Sequence, residues 1–351
     1  MSRRVRVLVV EDSLTVRKRI VEVLSSDGGL EVVAEAAEGR EAIALCERLR
    51  PDVITLDMVL GESNGVEVTE HVMAYCPTPI LIVSASLNRG EVFKTFDAMA
   101  AGAVDVLEKP NGDALYDAGW EVRLVATVKR VSRIRVITHP RARLTQRLPI
   151  RRARPEQGSA LRAVAIGAST GGPAALVELL RGLPGSFPLP ILLVIHIGRP
   201  FGDMFAEWLD SQSSLRVRMV SDGTPLPEVG EAGVLMAPAD QHLVLRGTRL
   251  YLSSEPERHS CRPSVDVLFE SVARELGPRS IGCLLTGMGR DGAAGLLAIR
   301  HAGGLTLAQD EASSVVFGMP REAIQLGAAQ HVVALQRVAG TLLELAGAIP
   351  S

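Results

Sequence analysis

Acidic residues follow two β-rich runs near the start of the chain. Glu11 and Asp12 come directly after VRVLVV, and Asp57 comes directly after DVITL. If these runs are neighbouring strands of a parallel sheet, the three carboxyl groups meet at one sheet edge. Crowded carboxylates repel one another unless a cation neutralises them, and an all-oxygen site suits Mg²⁺. Such a metal would help an aspartate attack a phosphoryl donor by spreading charge over the transferring oxygens.

Two other polar residues follow later β-rich runs. Lys109, in the tripeptide EKP, could place its ammonium beside the same phosphate, and Ser84 could donate its hydroxyl to it. Taken alone, each acid could equally be a loop or cap residue. Because all five groups fall at the carboxyl ends of predicted strands, the pattern favours a phosphate-accepting site.

A serine lies in a glycine-rich loop, LRAVAIGASTGGP, in the second half of the chain. Ser169 follows the run RAVAIG and precedes a helix predicted to start near Gly172. Glycines allow the sharp strand-to-helix turn that exposes a hydroxyl. The free N–H groups at the helix N-terminus suit a developing oxyanion. The same kind of loop could instead cradle a phosphate.

Histidine and aspartate residues follow two more strands of the same half. A serine hydroxyl is a poor nucleophile without a base, and His196 ends the run PILLVIH. Asp291, in LLTGMGRDGA, could hold the imidazole tautomer. His196 could be structural and Asp291 could cap a helix. Three strand-end positions in one sheet favour a Ser-His-Asp hydrolase, although the chain order differs from that of the α/β-hydrolases.

The elements that must position the acids alternate in type over residues 5–110. Helical stretches such as TVRKRIVEVLSS and GREAIALCERLR separate the β-rich runs. This alternation predicts an α/β fold with a doubly wound parallel sheet. The candidate strands are VRVLVV (5–10), LEVVAEA (30–36), DVITL (52–56), PILIV (79–83) and AVDVL (103–107).

A second α/β pattern begins near residue 161. The run HLVLRGTRLYLSS predicts a β-hairpin with Gly247 in the turn. The candidate strands are RAVAIG (162–167), PILLVIHI (190–197), GVLMAP (233–238), SIGCLLT (280–286) and GGLTLAQ (303–309). The candidate helices are 172–182, 202–212, 264–277 and 292–302.

Between these patterns, residues 122–155 contain no Asp or Glu and eleven Lys or Arg. We interpret residues 1–133 as one domain, 134–160 as a basic interdomain linker and 161–351 as a second domain. The linker is either a solvated tether or a docking strip for an acidic partner.

The composition fits a soluble globular protein with two domains. The 351 residues are 47% hydrophobic and 22% charged, with a net charge of −2, which gives no strong case for a nucleic-acid or membrane partner. The N-terminus lacks a signal peptide pattern, so we expect a cytoplasmic protein. We also expect it to be monomeric. The four cysteines (Cys46, Cys76, Cys261, Cys283) are scattered and are expected to be buried thiols.

The first domain resembles the response-regulator receiver family over essentially its whole length. The resemblance implies a flavodoxin-like fold, phosphorylated by a histidine kinase. By this resemblance, Asp57 is the phosphoacceptor, and Ser84 and Lys109 are the switch residues. The implied Mg²⁺ ligands are Glu11, Asp12, Asp57 and the main-chain carbonyl near Val59. Val106 stands where this family often has an aromatic residue.

The second domain resembles the catalytic domain of the chemotaxis protein-glutamate methylesterases, the CheB family. Beyond the serine loop, the resemblance rests on CRPSVDVLFES (261–271), LLTGMGRDGA (284–293) and AQDEASSVVFGMPREAI (308–324). It implies roles as nucleophile, base and orienting acid for Ser169, His196 and Asp291. It further implies that Thr170 is a polar residue that assists the neighbouring Ser169, and that the backbone N–H of Met288 helps to bind the oxyanion. Ile195 and Cys261 stand where the family commonly has Gln and His.

Together the two resemblances imply a phosphorylation-activated esterase. It would hydrolyse methyl-glutamate esters, and deamidate glutamine, on chemoreceptors during sensory adaptation, with no cofactor beyond Mg²⁺ in the receiver. The alternative is a phosphorylation-dependent receptor-binding adaptor or phosphate sink with an inactive esterase domain. A DNA-binding regulator is disfavoured because the second half shows no helix-turn-helix pattern.

Overall fold

The computed structural model of the protein describes residues 3–61, 63–85, 89–109, 117–134, 136, 161–198, 201–231 and 233–347. Contacts divide the chain into two compact units, one up to residue 138 and one from residue 139. The predicted basic linker, 134–160, lies outside the described residues except for 134 and 136. Among the described residues, no helix is both long and apolar enough to cross a membrane.

The first unit is a five-stranded sheet with helices. Its strands are β1 (Val5–Val10), β2 (Leu30–Ala36), β3 (Val53–Leu56), β6 (Ile80–Ser84) and β7 (Asp105–Glu108), with a small antiparallel pair, β4 (Val59–Leu60) and β5 (Ser63–Asn64). Its helices are α1 (Leu14–Ser26), α2 (Gly39–Leu49), α3 (Gly65–Tyr75), α4 (Arg89–Ala100) and α5 (Ala118–Val131). The sheet order is β2-β1-β3-β6-β7 and every pairing is parallel.

That strand order is the flavodoxin-like one, and it confirms the predicted fold class. The central strand β3 is buried throughout, as expected for a parallel sheet that is covered on both faces. Trp120 of α5 is fully buried in the core, and its indole N–H donates to the Glu108 carbonyl at 2.9 Å. The tryptophan therefore anchors α5 beside the strand that precedes Lys109.

The second unit is a seven-stranded sheet with helices and a hairpin. The sheet strands are β8 (Ala163–Ala168), β9 (Ile191–Ile195), β10 (Val217–Met219), β12 (Val234–Met236), β15 (Ser280–Leu284), β16 (Leu305–Gln309) and β17 (His331–Val333). The smaller antiparallel sheet contains β11 (Thr224–Pro225), β13 (His242–Arg246) and β14 (Arg249–Ser253). The helices are α6 (Gly172–Arg181), α7 (Phe201–Ser211), α8 (Val265–Leu276), α9 (Ala293–His301), α10 (Met319–Gln325) and α11 (Leu335–Leu345).

The order of the large sheet is β10-β12-β9-β8-β15-β16-β17, and all its pairings are parallel. In the sheet, strand β8 lies between β9, which is the next strand along the chain, and β15, which comes much later in the sequence. This is a topological switch point, where ligands bind beyond the carboxyl ends of the strands in open α/β sheets. The serine loop follows β8, so the fold places it at the switch point.

The predicted hairpin forms between β13 and β14, with Gly247 in the left-handed region at φ +56°. The edge strands β10 and β17 were not predicted from the sequence. Each has three residues, which is too short for a periodic pattern to distinguish it from a loop.

Gly167 allows α8 to pack against β8. A Cβ at this position would lie 2.8 Å from Val265 Cγ2 and 3.1 Å from Leu284 Cδ1. We expect Gly167→Ala to lower the free energy of unfolding by about 1–3 kcal/mol because the core is already filled. The measurement is urea unfolding followed by Trp208 fluorescence in a Trp120→Phe background, since each unit contains one tryptophan.

The matched control is Gly198→Ala, where an added Cβ would meet no atom within 4 Å. It should change the unfolding free energy by no more than about 0.5 kcal/mol. Equal stability of the two variants would show that the contact between α8 and β8 tolerates a methyl group.

Candidate active site and phosphorylation site

The three acids of the first unit converge at the carboxyl edge of its sheet. Glu11 and Asp12 follow β1, Asp57 follows β3, and one ligand oxygen from each lies within 4.8 Å of the others. Glu11 and Asp57 are buried, whereas Asp12 is exposed. The pairing of β1 with β3 therefore produces the cluster predicted from the sequence.

Lys109 joins two of these acids. Its Nζ lies 2.7 Å from Glu11 Oε2 and 2.7 Å from Asp57 Oδ2. The Lys109 backbone N–H donates to the carbonyl of Ser84 at 2.9 Å, which fixes these two residues relative to each other. Ser84 is buried at the end of β6, and Val59 is 44% exposed at the start of β4, two residues after Asp57. All the predicted receiver residues thus lie at one edge of the sheet.

The electrostatics of this cluster reflect crowded negative charge. Burial and the Asp57 carboxylate raise the pKa of Glu11 to about 7, against the opposing effect of Lys109. Burial likewise raises the pKa of Asp57, although the Lys109 ammonium opposes the shift. Burial lowers the pKa of Lys109, but attraction to both carboxylates outweighs it, so the net shift is upward. One ammonium between two buried carboxylates leaves an excess of negative charge.

The residues present fit a hard divalent cation. The donors are carboxylate oxygens, which Mg²⁺ prefers, and the exposed Asp12 leaves room for the water ligands that this ion retains. Glu11, Asp12 and Asp57 would hold the ion, with the Val59 carbonyl as a further candidate.

The serine loop of the second unit begins where β8 ends. The Ser169 N–H donates to the Thr286 carbonyl at 3.0 Å, and the Gly172 N–H donates to the Ser169 carbonyl at 2.6 Å. Gly171 caps α6 with φ +77°, a backbone conformation that favours glycine. A Cβ atom added at Gly171 would lie 2.5 Å from Val315 Cβ, so the turn has no space for a larger residue. Ser169 therefore sits in a tight turn at the N-terminus of a helix.

His196 lies beside this loop because β8 and β9 are neighbours. Ala168 pairs with Ile195, and the His196 N–H donates to the Ala168 carbonyl at 3.1 Å. The imidazole Nε2 lies 2.9 Å from Asp291 Oδ2. The structure thus brings the predicted base and its orienting acid into direct contact at the edge that carries Ser169.

Asp291 is held by four donors. Its Oδ1 accepts from the Ser264 hydroxyl at 2.7 Å and the Asp266 N–H at 3.1 Å. Its Oδ2 accepts from the Val265 N–H at 2.7 Å and from His196 Nε2. The backbone donors belong to the N-terminus of α8, whose positive dipole end favours an anion. The carboxylate is therefore fixed by the helix and presents one oxygen to the imidazole.

These contacts shift both partners toward an ion pair. Burial raises the pKa of Asp291, but the hydrogen bonds from His196, Ser264 and Val265 outweigh it, so the pKa falls below its usual value. Burial lowers the pKa of His196, but hydrogen bonding and charge attraction from Asp291 and Cys261 raise it to about 9. A general base must be unprotonated, so the predicted base role of His196 would be favoured as the pH rises toward 9.

The Ser169 hydroxyl makes no hydrogen bond to the imidazole within the part of the chain that the structure describes. Because Nε2 faces Asp291, the nitrogen left for a serine is Nδ1, and this atom lies 3.7 Å from Cys261 Sγ. Catalytic hydrogen bonds are often long before substrate binds. The structure therefore places Ser169 beside the His196–Asp291 pair, but without a hydrogen bond between the serine hydroxyl and the imidazole.

The predicted oxyanion donor lies across the loop from Ser169. The Met288 side chain is 52% exposed, and its backbone N–H finds no backbone acceptor among the described residues. The neighbouring Gly287 is fixed by hydrogen bonds with Val316 and Met319. A Cβ atom added at Gly287 would lie 2.8 Å from Ser169 Cβ, so this loop approaches the serine closely. Thr170 is half-buried, and its carbonyl accepts from the Thr286 hydroxyl at 2.9 Å.

An open cleft of about 720 Å³ adjoins the site. Cys261, Met288 and Asp291 contribute to its wall, together with Phe317 and Arg321. Its size is in the range of pockets that bind small molecules or side chains.

The expectation that all four cysteines are buried is wrong for Cys261. Cys46, Cys76 and Cys283 are buried, whereas Cys261 is half-buried and contacts His196. The position follows a loop in which His259 and Ser260 both have positive φ angles. This backbone path turns the cysteine toward the imidazole, which the sequence pattern did not predict.

Sequence reasoning missed three supporting residues. Ser264 holds Asp291, and its place before the helical run VDVLFES is the available signal, since serine is favoured at N-caps. Thr286 joins the serine loop to Val316 through its hydroxyl. Gln309 is fully buried and accepts from the Thr286 N–H at 2.8 Å. The last two have no local signature because their partners are distant in the sequence.

Known proteins resemble this chain over nearly its whole length. A family model for the CheB methylesterase matches residues 164–342, and one for the response regulator receiver domain matches residues 7–118. A protein-glutamate methylesterase/protein-glutamine glutaminase of Anaeromyxobacter dehalogenans is 44% identical over 345 residues, covering 98% of this chain and 97% of that one. A relative of the same name from Geobacter metallireducens is 42% identical over 346 residues, covering 97% and 99%.

The second unit also resembles a solved structure. The CheB methylesterase catalytic domain of Thermotoga maritima is 35% identical, with a TM-score of 0.51, and the match covers 53% of this chain and 100% of that one. Both halves are thus matched by family models, and the relatives align end to end. The chain belongs to the CheB methylesterase family, with an N-terminal response regulator receiver domain.

Proposed function

We propose that this chain is a phosphorylation-activated protein-glutamate methylesterase of the cytoplasm that also deamidates glutamine on chemoreceptors. The observation that carries the proposal is the His196–Asp291 pair, 2.9 Å apart, at the sheet edge where Ser169 lies in the turn between β8 and α6. The names of the full-length relatives support the substrate class.

In the proposed reaction, Ser169 Oγ attacks the carbonyl carbon of a methylated glutamate. Its proton passes to His196 Nδ1, because Nε2 already donates its own proton to Asp291. The negative charge that develops on the carbonyl oxygen lies near the helix N-terminus and the Met288 N–H. The imidazolium then protonates the departing methoxide. Water next attacks the acyl-enzyme with His196 again as base, which releases glutamate and restores Ser169.

The receiver residues would regulate this chemistry. Asp57 attacks a phosphoryl group from a histidine kinase, while Lys109 balances the charge on the transferred oxygens. A bound Mg²⁺ would neutralise charge on the phosphoryl oxygens. In the phosphorylated form, Lys109 would exchange its contact with the Asp57 carboxylate for the phosphate, and Ser84 would donate its hydroxyl. A tenfold change in activity requires only about 1.4 kcal/mol of differential stability between two states.

Release of methanol from methylated receptor membranes tests the esterase. The wild-type chain should release methanol, whereas a receptor-binding adaptor should bind the membranes without releasing any. Absence of release from a receptor shown to be methylated, both with and without phosphodonor, would favour the adaptor.

Activation should depend on Asp57. Acetyl phosphate with Mg²⁺ is expected to raise methanol release by wild type about tenfold or more, and to leave Asp57→Asn at its basal rate because an amide does not accept a phosphoryl group. Glu70→Gln, at an exposed position of helix α3, is the matched control and should respond as wild type does. An equal response of Asp57→Asn would show that activation arises elsewhere.

A further inference from the structure

The imidazole of His196 has a second partner that the esterase reaction does not use. Cys261 Sγ lies 3.7 Å from Nδ1, on the side of the ring away from Asp291. In the neutral imidazole, the proton lies on Nε2, which donates to the carboxylate, so the lone pair lies on Nδ1 and is directed toward the thiol. The cysteine therefore does not stand alone: an imidazole nitrogen and a thiol sulfur face each other across a short gap.

The width of this gap fits a zinc ion. Zinc binds imidazole nitrogen at about 2.0–2.1 Å and thiolate sulfur at about 2.3 Å, so a tetrahedral angle places the two ligands about 3.5 Å apart. The observed separation of 3.7 Å needs little adjustment. Thiolate and imidazole are also the ligands that select zinc over Mg²⁺, which prefers oxygen.

Asp291 supplies the support that zinc-bound histidines usually have. A carboxylate that accepts the second ring N–H fixes the tautomer and the ring orientation. Here the Asp291 carboxylate is itself fixed by Ser264, Val265 and Asp266. One donor atom from each of His196, Cys261 and Asp291 lies within 4.8 Å of the others.

The same position is open to solvent. Cys261 is half-buried and lines the cleft of about 720 Å³, which gives an ion a path and leaves room for water ligands. The other three cysteines are buried, and burial raises the pKa of the Cys76 and Cys283 thiols to about 12. Among the four thiols, Cys261 is thus the one placed to bind a metal from solution.

We propose that His196 Nδ1 and Cys261 Sγ bind Zn²⁺, with water completing the coordination, and that the bound ion reversibly inhibits the enzyme. Binding converts the thiol to a thiolate and displaces the proton that His196 Nδ1 carries in the ion pair with Asp291, and both protons pass to solvent. The ion occupies the lone pair that would otherwise accept the Ser169 proton. The inhibitory part rests on the proposed esterase function, whereas the binding part does not.

The binding test uses the whole 351-residue chain with excess Mg²⁺, which is added to fill the acidic cluster of the first unit. Co²⁺, a spectroscopic substitute for zinc, should produce a thiolate-to-cobalt charge-transfer band that added Zn²⁺ removes. Cys261→Ser should lose the band, and its zinc affinity, measured by competition with a chelating dye, should fall at least about tenfold. Cys46→Ala, which removes a buried thiol of the first unit, should keep both. A band that persists in Cys261→Ser would overturn the site.

The inhibition test measures methanol release against Zn²⁺ concentration, with each variant normalised to its own rate without zinc. Wild type should be inhibited and should recover when a chelator is added, and Cys261→Ser should require at least about ten times more zinc. Equal inhibition of the two proteins would overturn the regulatory role. If wild type shows no esterase activity even without zinc, the proposed function fails, and the cobalt band still decides the metal site.

Discussion

Replacing Ser169 with alanine is expected to lower the rate of methanol release by about 10⁴- to 10⁶-fold, because the variant has no nucleophile to form the acyl-enzyme. The residual rate would come from binding and from the N–H groups around the oxyanion. The measurement is methanol release from methylated receptor membranes, with acetyl phosphate present so that the regulatory state is the same in both proteins.

The Ser169→Ala variant is expected to fold as wild type does, so that its loss of activity can be assigned to the missing hydroxyl. Its side chain makes no hydrogen bond within the described residues, while its backbone bonds to Thr286 and Gly172 do not depend on the hydroxyl. Stability and phosphorylation of Asp57 should therefore be unchanged. Ser254→Ala, at an exposed serine, should keep full activity. Activity of Ser169→Ala within tenfold of wild type would require a different nucleophile.

Asp291→Asn is expected to lower the turnover number by about 10⁴-fold. The two Asp291 oxygens each accept one backbone N–H, from Val265 and Asp266, in addition to His196 Nε2 and the Ser264 hydroxyl. An asparagine in either orientation points its NH₂ group at one of these N–H donors. The variant therefore loses both the anion that favours the imidazolium and the acceptor geometry that fixes the tautomer.

The pH dependence separates this electrostatic role from misfolding. In wild type, kcat/KM should rise with pH as His196 loses its proton, with a midpoint near the pKa of about 9. Without the carboxylate the midpoint should fall toward the ordinary imidazole value of about 6.5. A fall in kcat/KM with an unchanged midpoint would mean that Asp291 does not govern the base.

A matched variant controls for the loss of one negative charge. Asp203→Asn, at an exposed position in the first turn of α7, changes the net charge equally and lies outside the His196–Asp291 pair. Its rate and midpoint should equal those of wild type.

Ser264→Ala provides a milder test, since it removes one donor to Asp291 while leaving the backbone donors in place. Its effect on the rate and on the midpoint should lie between those of Asp203→Asn and Asp291→Asn.

The fold class was predictable because local patterns carry it. β-rich runs bounded by polar and glycine residues alternate with amphipathic stretches, and that alternation restricts the chain to parallel sheets with helices. The reactive side chains could be located for the same reason, since Glu11, Asp57, Ser169 and His196 each come directly after a β-rich run. In a parallel sheet, all such positions lie at one edge.

The interior supports of the site were not predictable in this way. Thr286 and Gln309 act through partners that are distant in the sequence, so no spacing reveals them, and the N-cap position of Ser264 does not show that its hydroxyl holds Asp291. The short strands β10 and β17 form because the sheet offers them an edge, and three residues contain too little pattern to predict a strand.

The sequence by itself determined that two α/β domains carry an acidic cluster and a Ser-His-Asp set at strand ends, because strand periodicity and chain direction are local properties. Only the tertiary structure decided that β15 lies beside β8, which brings Asp291 to His196. It also decided that Nδ1 faces Cys261 rather than the serine hydroxyl. Ring orientation depends on packing and hydrogen bonds from α8, and those contacts exist only after distant segments have come together.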